Sequence, residues 1–274
     1  MTKNILTYAV LALFTLGLNA CSQEDDFAPQ GEPQEITILT RTATATEGEE
    51  TISETFTSPF TLELWNDGTR STHQMTYTES SGYNLVKVDN FGTTVNALAY
   101  CGNTVTVTSP DNYTVELTAD QSTEDAFNAA DVMIATGTFN ENGALSLNFE
   151  HFYAKVTFNV TLSSEFEETV TITNFNINTV DNKTVSAYIN GKTVSAIIPA
   201  AVYQGGGTFL NVTVGSGTPL EVKVPTDGML FTAGNHYTFN LRVGKNMVTI
   251  NQLSIDGIGN PFNGGWNTDS ETDL

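Results

Sequence analysis

The chain has 274 residues, 31 of them acidic against 10 basic, for a formal net charge of −21. A surface so negative repels phosphate backbones and anionic headgroups, which excludes nucleic acid and acidic lipid as partners. Only two cysteines are present, so a disulfide framework is excluded and stability must come from packing.

Residues 1–20 follow the secretory order. Lys3 supplies the positive start and "ILTYAVLALFTLGL" the apolar run, and small residues precede the junction. The run is too short and too poorly flanked for a transmembrane helix, which needs about 20 apolar residues. Leu18-Asn19-Ala20-Cys21 resembles a bacterial lipobox. In such signals the thiol, here that of Cys21, takes a diacylglyceryl group and becomes the new N-terminus. Several acyl chains hold a membrane firmly where one binds only marginally. Ser22-Gln23-Glu24-Asp25-Asp26 resembles the short acidic export signal of surface-exposed lipoproteins in some Gram-negative bacteria. Residues 1–20 are therefore expected to be a lipoprotein signal peptide and 21–33 an acidic linker. The expected address is the outer face of the outer membrane.

Beyond the linker, apolar residues alternate with Thr and Asn. "AKVTFNVTL" aligns Val156, Phe158, Val160 and Leu162, and "FLNVTV" aligns Leu210, Val212 and Val214. "PLEVKV" aligns Leu220, Val222 and Val224, and "HYTFNLRV" aligns Tyr237, Phe239, Leu241 and Val243. These predict half-buried antiparallel strands. The phase slips after Ile172 and after Ile250, which predicts a bulge or bend in each strand. Only "DQSTEDAFNAADVM" has helical spacing, with Ser122 and Asp125 as a capping pair. Short strands punctuated by Gly, Asn and Asp indicate an all-β protein of the sandwich type. A soft boundary at "NENG", residues 140–143, divides it into two expected sandwich domains, 34–142 and 143–274.

Reactive chemistry is not encoded recognisably. His73, His151 and His236 are scattered and lack neighbours at metal-ligand spacing, so no metal and no cofactor is expected. Calcium loops of the "D-x-[DN]-x-[DN]-G" form are absent. Cys101 has no nearby cation in sequence to activate it and reads as a core residue. "QGGGTF" lacks the lysine and the helix of a phosphate loop. With 31 acids, carboxylate pairs arise by chance, and no motif selects a glycosidase pair. Trp65 and Trp266 are candidate sugar-stacking platforms, against the commoner role of a strand-end aromatic.

The segment "DQSTEDAFNAADVMIATGTFNENGALSLNFEHFYAKVTFNV" resembles the middle of the fimbrillin family, the lipoprotein-exported subunits of type V pili. Gln121, Ser122 and Asp131-Val132-Met133 match one element. Leu147, Phe149, His151, Ala154-Lys155-Val156, Phe158 and Val160 match the next. "VNALAY", "IIPA" and "FTAGNHYTFNLRV" fit further elements in the right order. The resemblance implies two tandem transthyretin-like sandwiches of Ig-like topology and a structural or adhesive pilus subunit, not an enzyme. Gln121, Asp131, Phe149, His151 and Lys155 would be structural. In that family an arginine-specific protease removes the first strand, and another subunit's strand replaces it. Here the candidate bond joins Arg41 to Thr42. Implied partners are other pilus subunits, the outer membrane before maturation, and a host or bacterial surface receptor. The chain stops soon after Trp266, which fits a tip or accessory subunit that accepts a strand without donating one. The alternative is a monomeric glycan-binding surface lipoprotein.

Overall fold

A computed structural model describes residues 34–42, 55–89, 95–102, 104–139, 144–260 and 264–272. Cys21 and the acidic linker lie outside these residues, so the expectations placed on them are neither supported nor opposed by the structure.

Alternating segments pair as strands of two large sheets. The first runs Ile38–Thr42, Leu145–His151, Met133–Phe139, Val95–Cys101, Phe60–Asn66, Thr69–Met75 in spatial order. The second runs Tyr188–Asn190, Thr193–Ile198, Ala154–Leu162, His236–Val243, Val248–Asn260, Gly264–Thr272. Against the second lies a four-stranded sheet, Thr184–Ser186, Ile172–Asn178, Thr208–Val214, Leu220–Lys223. The architecture is all-β, with one short helix among the described residues, as alternation and turn residues implied.

Two pairings depart from the expected antiparallel rule. Ala154–Leu162 runs parallel to His236–Val243, and Ile38–Thr42 runs parallel to Leu145–His151. A hairpin cannot join parallel neighbours, so long connections intervene. For the first pair that connection carries the whole four-stranded sheet.

Both predicted phase slips are bulges. Ile172 faces Val214 while Asn174 faces Thr213, leaving Thr173 over; its hydroxyl donates to the Gly215 carbonyl at 2.7 Å. Leu241 faces Ile250 while Asn240 faces Gln252, leaving Asn251 over. In Ile172–Asn178 the surplus residue returns Phe175 and Ile177 to the core face.

Two apolar clusters fill the molecule. One joins Ile36, Phe56, Phe60, Leu62, Leu64, Leu145, Leu147 and Phe149 under one face of the first sheet. The other centres on Phe158, Phe175, Phe209 and Phe239 between the second sheet and its four-stranded partner. Trp65, Leu98 and Ile134, on the opposite face of the first sheet, belong to this second cluster, together with Val107 and Leu117. The first sheet is thus covered on both faces, which explains why "LELW" is buried without alternation. The expected boundary at 142/143 falls inside the hairpin of Met133–Phe139 with Leu145–His151. The chain changes sheets between His151 and Ala154 instead, because the turn at 140–143 joins neighbours within one sheet.

The helix is Glu124–Ala130, and its cap is Thr123, not Ser122. The Ala126 amide donates to Thr123 Oγ1 at 3.2 Å, whereas the Ser122 hydroxyl donates to Asp120 Oδ1 at 2.6 Å. Two hydroxyls side by side could each cap, and the Asp120 turn takes the first.

Candidate functional site

The leading segment crosses between layers. Gln34–Ile36 pairs antiparallel with Val86–Val88, which lies outside the first large sheet. Two residues on, Ile38–Thr42 joins that sheet as an edge strand beside Leu145–His151. The Leu145 amide donates to the Thr37 carbonyl at 2.8 Å where the chain changes layer. Ile36 and Thr40 are buried while Leu39 is 47 % exposed, so inward and outward positions alternate. Arg41 is registered with Asn148 and Thr42 with Phe149.

Beneath this strand lies an aromatic floor. The rings of Phe56 and Phe149 stack 4.1 Å apart, and Phe60 meets Phe149 edge-on at 5.1 Å. Thr40 Oγ1 and the Tyr83 hydroxyl both donate to the Phe56 carbonyl, at 2.7 and 2.8 Å. Phe149, expected as a structural motif residue, is part of the floor covered by the leading strand.

The other motif residues gather where the chain passes between the large sheets. Asp131 Oδ1 lies 2.8 Å from His151 Nδ1, and both residues are buried. Gln121 is fully buried: its side-chain amide donates to the carbonyls of Thr118 and Ile197 at 2.8 and 2.9 Å. Its Oε1 accepts from the Ile197 amide at 2.8 Å. Lys155 Nζ sits 5.6 Å above the ring of Phe127, on the helix. Burial lowers its pKa, and the Asp131 charge opposes that shift. His236 follows on the neighbouring strand, its Nε2 2.8 Å from Thr157 Oγ1. Burial, with the Lys155 charge behind it, pushes the imidazole down to about 4. The neutral ring therefore holds at ordinary pH. Gln121 locks backbone to backbone and the others join side chain to side chain, so an unpaired buried member would be costly.

Two sites were missed at the level of sequence. Glu63 is buried and receives both arms of the Arg70 guanidinium at 2.9 Å, plus the Thr72 hydroxyl at 2.7 Å. Burial would raise this carboxyl, but the hydrogen bonds from Arg70 and Thr72 outweigh it and hold the pKa below its ordinary value. Arg70 also donates to the Val107 carbonyl at 3.0 Å and lies over the Trp65 ring, pinning the hairpin Val105–Ser109/Asn112–Val115 to the sheet. Strand-pair spacing alone held the signal, since Trp65 and Arg70 face each other across a two-residue turn. Trp65 is 8 % exposed and is no stacking platform. The second missed site is a cleft around Tyr203. Cys101 is buried and its thiol is pushed up to about 12 by desolvation, which suits a core residue and not a nucleophile. Among the described residues, no group of three or more His, Cys, Asp or Glu could hold a metal ion.

The profile of the Fimbrillin-like family matches residues 30–257. Among solved structures, a candidate cell adhesion protein from Bacteroides ovatus has a TM-score of 0.53 at 12 % identity, over 87 % of this chain and 99 % of that one. A candidate cell adhesion protein from Bacteroides uniformis has a TM-score of 0.49 at 12 % identity, over 85 % and 99 %. The tip fimbrial protein Mfa3 from Porphyromonas gingivalis, truncated at its C-terminus, has a TM-score of 0.45 at 10 % identity, over 81 % and 99 %. No curated protein matches. The first of these likenesses concerns fold; the family rests on the profile, which spans five-sixths of the sequence, and so the chain belongs to the fimbrillin-like family.

Proposed function

We propose that the protein is a structural or adhesive subunit of a cell-surface fimbrium and has no enzymatic role. It reaches the outer membrane as a lipoprotein acylated on Cys21. Cleavage between Arg41 and Thr42 then frees it from the lipid, and a strand from another subunit fills the vacated place.

The observation that carries this reading is the leading strand. Ile38–Thr42 pairs on one side only, with Leu145–His151, and it covers an aromatic floor. Its loss would leave a row of unpaired backbone groups beside an apolar slot, and such an edge invites strand addition. The other two arginines are worse targets. Arg70 is clamped to Glu63, and Arg242 lies in a strand flanked on both sides. Two sandwich domains, 34–142 and 143–274, belong to this reading, with the hairpin that spans 142/143 extending the first sheet to His151.

The test is N-terminal sequencing of protein released from the native host, with wild type and Arg41→Ala compared for SDS-resistant ladders. A start at Thr42 with ladders that vanish in the variant is expected. Polymers built from chains that still begin at Cys21 would sink the maturation step.

A further inference from the structure

We propose that the cleft at one end of the four-stranded sheet is a binding site for a neutral saccharide unit. The cleft is bounded by the turn 178–184, the short strand Val202–Tyr203 and the start of Thr208–Val214, and holds about 640 Å³. That volume lies within the roughly 300–1,000 Å³ of small-molecule sites.

The lining is mostly amide and hydroxyl, with one charged group, Lys183. Asn178, Asn182, Lys183, Tyr203, Gln204 and Thr208 contribute its polar groups. The Lys183 ammonium is within 3.8 Å of Asp181, so its charge is largely offset and an anion gains little there. One of the amides is structural: Asn178 Nδ2 donates to the Thr208 carbonyl at 3.1 Å, and Asn178 Oδ1 accepts from Thr184 Oγ1 at 3.1 Å. It stiffens the wall. Asn182 and Gln204 line the cleft, are exposed and make no side-chain hydrogen bond among the described residues, so their amides keep donors and acceptors to spare. Asn182 is held in the left-handed region at φ 59°, which fixes the turn that carries it.

Two further features select the ligand class. Val180 and Val202, 42 % and 53 % exposed, border the same cleft and offer apolar surface to the C–H faces of a sugar ring. Tyr203 borders the cleft with its ring packed on Phe209 and Phe231, and its hydroxyl is buried with no hydrogen-bond partner among the described residues. Burial raises its pKa, so it stays a neutral donor. A buried hydroxyl left unpaired costs about 1–3 kcal/mol, a deficit that a ligand hydroxyl reaching it would relieve. Mixed hydrogen bonding, patches of apolar surface and a single lysine already paired with Asp181 describe a carbohydrate better than a phosphate, a carboxylate or a flat hydrophobe.

The site is independent of the strand-exchange reading, since none of its residues belongs to the first sheet. Purified full-length protein is titrated by ligand-observed NMR with methyl glycosides of glucose, galactose, mannose, N-acetylglucosamine and N-acetylgalactosamine, with N-acetylneuraminic acid as the anionic contrast. At least one neutral glycoside should show saturation transfer. Its affinity should fall about tenfold or more in the double variant Asn182→Ala/Gln204→Ala, and roughly three- to tenfold in Tyr203→Phe. Tyr203→Phe removes only an unpartnered hydroxyl and should keep its fold by circular dichroism. Arg41→Ala should leave binding unchanged. Absence of binding to every neutral glycoside, binding that survives the double variant, or binding of neuraminic acid alone through Lys183 would each overturn the proposal. A Tyr203→Phe protein with unaltered glycoside affinity would do the same for the Tyr203 hydroxyl, leaving water as its only partner.

Discussion

Thr40 Oγ1 donates to the Phe56 carbonyl across 2.7 Å, tying the edge strand at the start of the described chain to the segment that carries the aromatic floor. The leading segment is peripheral in topology, pairing with one strand in each layer, and central in packing, with Ile36 and Thr40 buried. A piece that belongs to the core yet is paired along one edge only in each layer can leave without unthreading anything else.

That asymmetry predicts unequal costs for neighbouring substitutions. Ile36→Ala should lower stability by about 2–4 kcal/mol, since it opens a cavity among packed side chains. Leu39→Ala, on the outward side of the same segment, should change it by less than about 0.5 kcal/mol. Urea denaturation of the two variants checks this, and equal losses would contradict the inward–outward alternation.

The Asp131–His151 contact should behave as a unit. Asp131→Ala leaves a buried imidazole nitrogen without its partner and should cost at least about 1–3 kcal/mol. Replacing both with leucine should cost clearly less than the two single leucine changes together, because neither polar group is then stranded. A double-mutant cycle by chemical denaturation gives the coupling energy. A value near zero would mean the pair is not coupled in solution.

Glu63 predicts an acid-side dependence. Its pKa in the folded protein is below the ordinary 4.5, so the unfolded chain binds a proton first as pH falls. The stabilisation is therefore complete above pH 4.5 and is lost as pH drops through the lower, folded value. The stability gap between wild type and Glu63→Gln should be constant from pH 7 to 5 and narrow below about 4.5. A gap that does not narrow would show that the carboxylate charge is not what holds Arg70.

His236 predicts a second, separate window. Its folded pKa is depressed to about 4 from 6.5, so the unfolded state takes up a proton while the folded state does not. Its contribution is present above pH 6.5 and declines as pH falls from 6.5 to about 4. Wild type should lose more stability than His236→Gln between pH 7.5 and 5, measured by urea denaturation at each pH. Parallel losses would place the neutral imidazole outside the junction's energetics.

Local pattern carried a large share of the fold. Val156, Phe158 and Val160 face the core as their spacing required, and the surplus residues at Thr173 and Asn251 are where the phase slipped. Spacing failed where two neighbours could do the same work, as with Ser122 and Thr123, and where a sheet is covered on both faces, as along Leu62, Glu63, Leu64 and Trp65.

What the sequence determined by itself was therefore strand identity, facing and family order, because side chains alternate with a period the chain carries locally. Only the tertiary structure decided the parallel seat of Ile38–Thr42, the pairing of Glu63 with Arg70 and the orphaned hydroxyl of Tyr203. Each depends on which distant backbone closes over a residue, and burial of that kind is set by the partners a strand finds and not by its own residues.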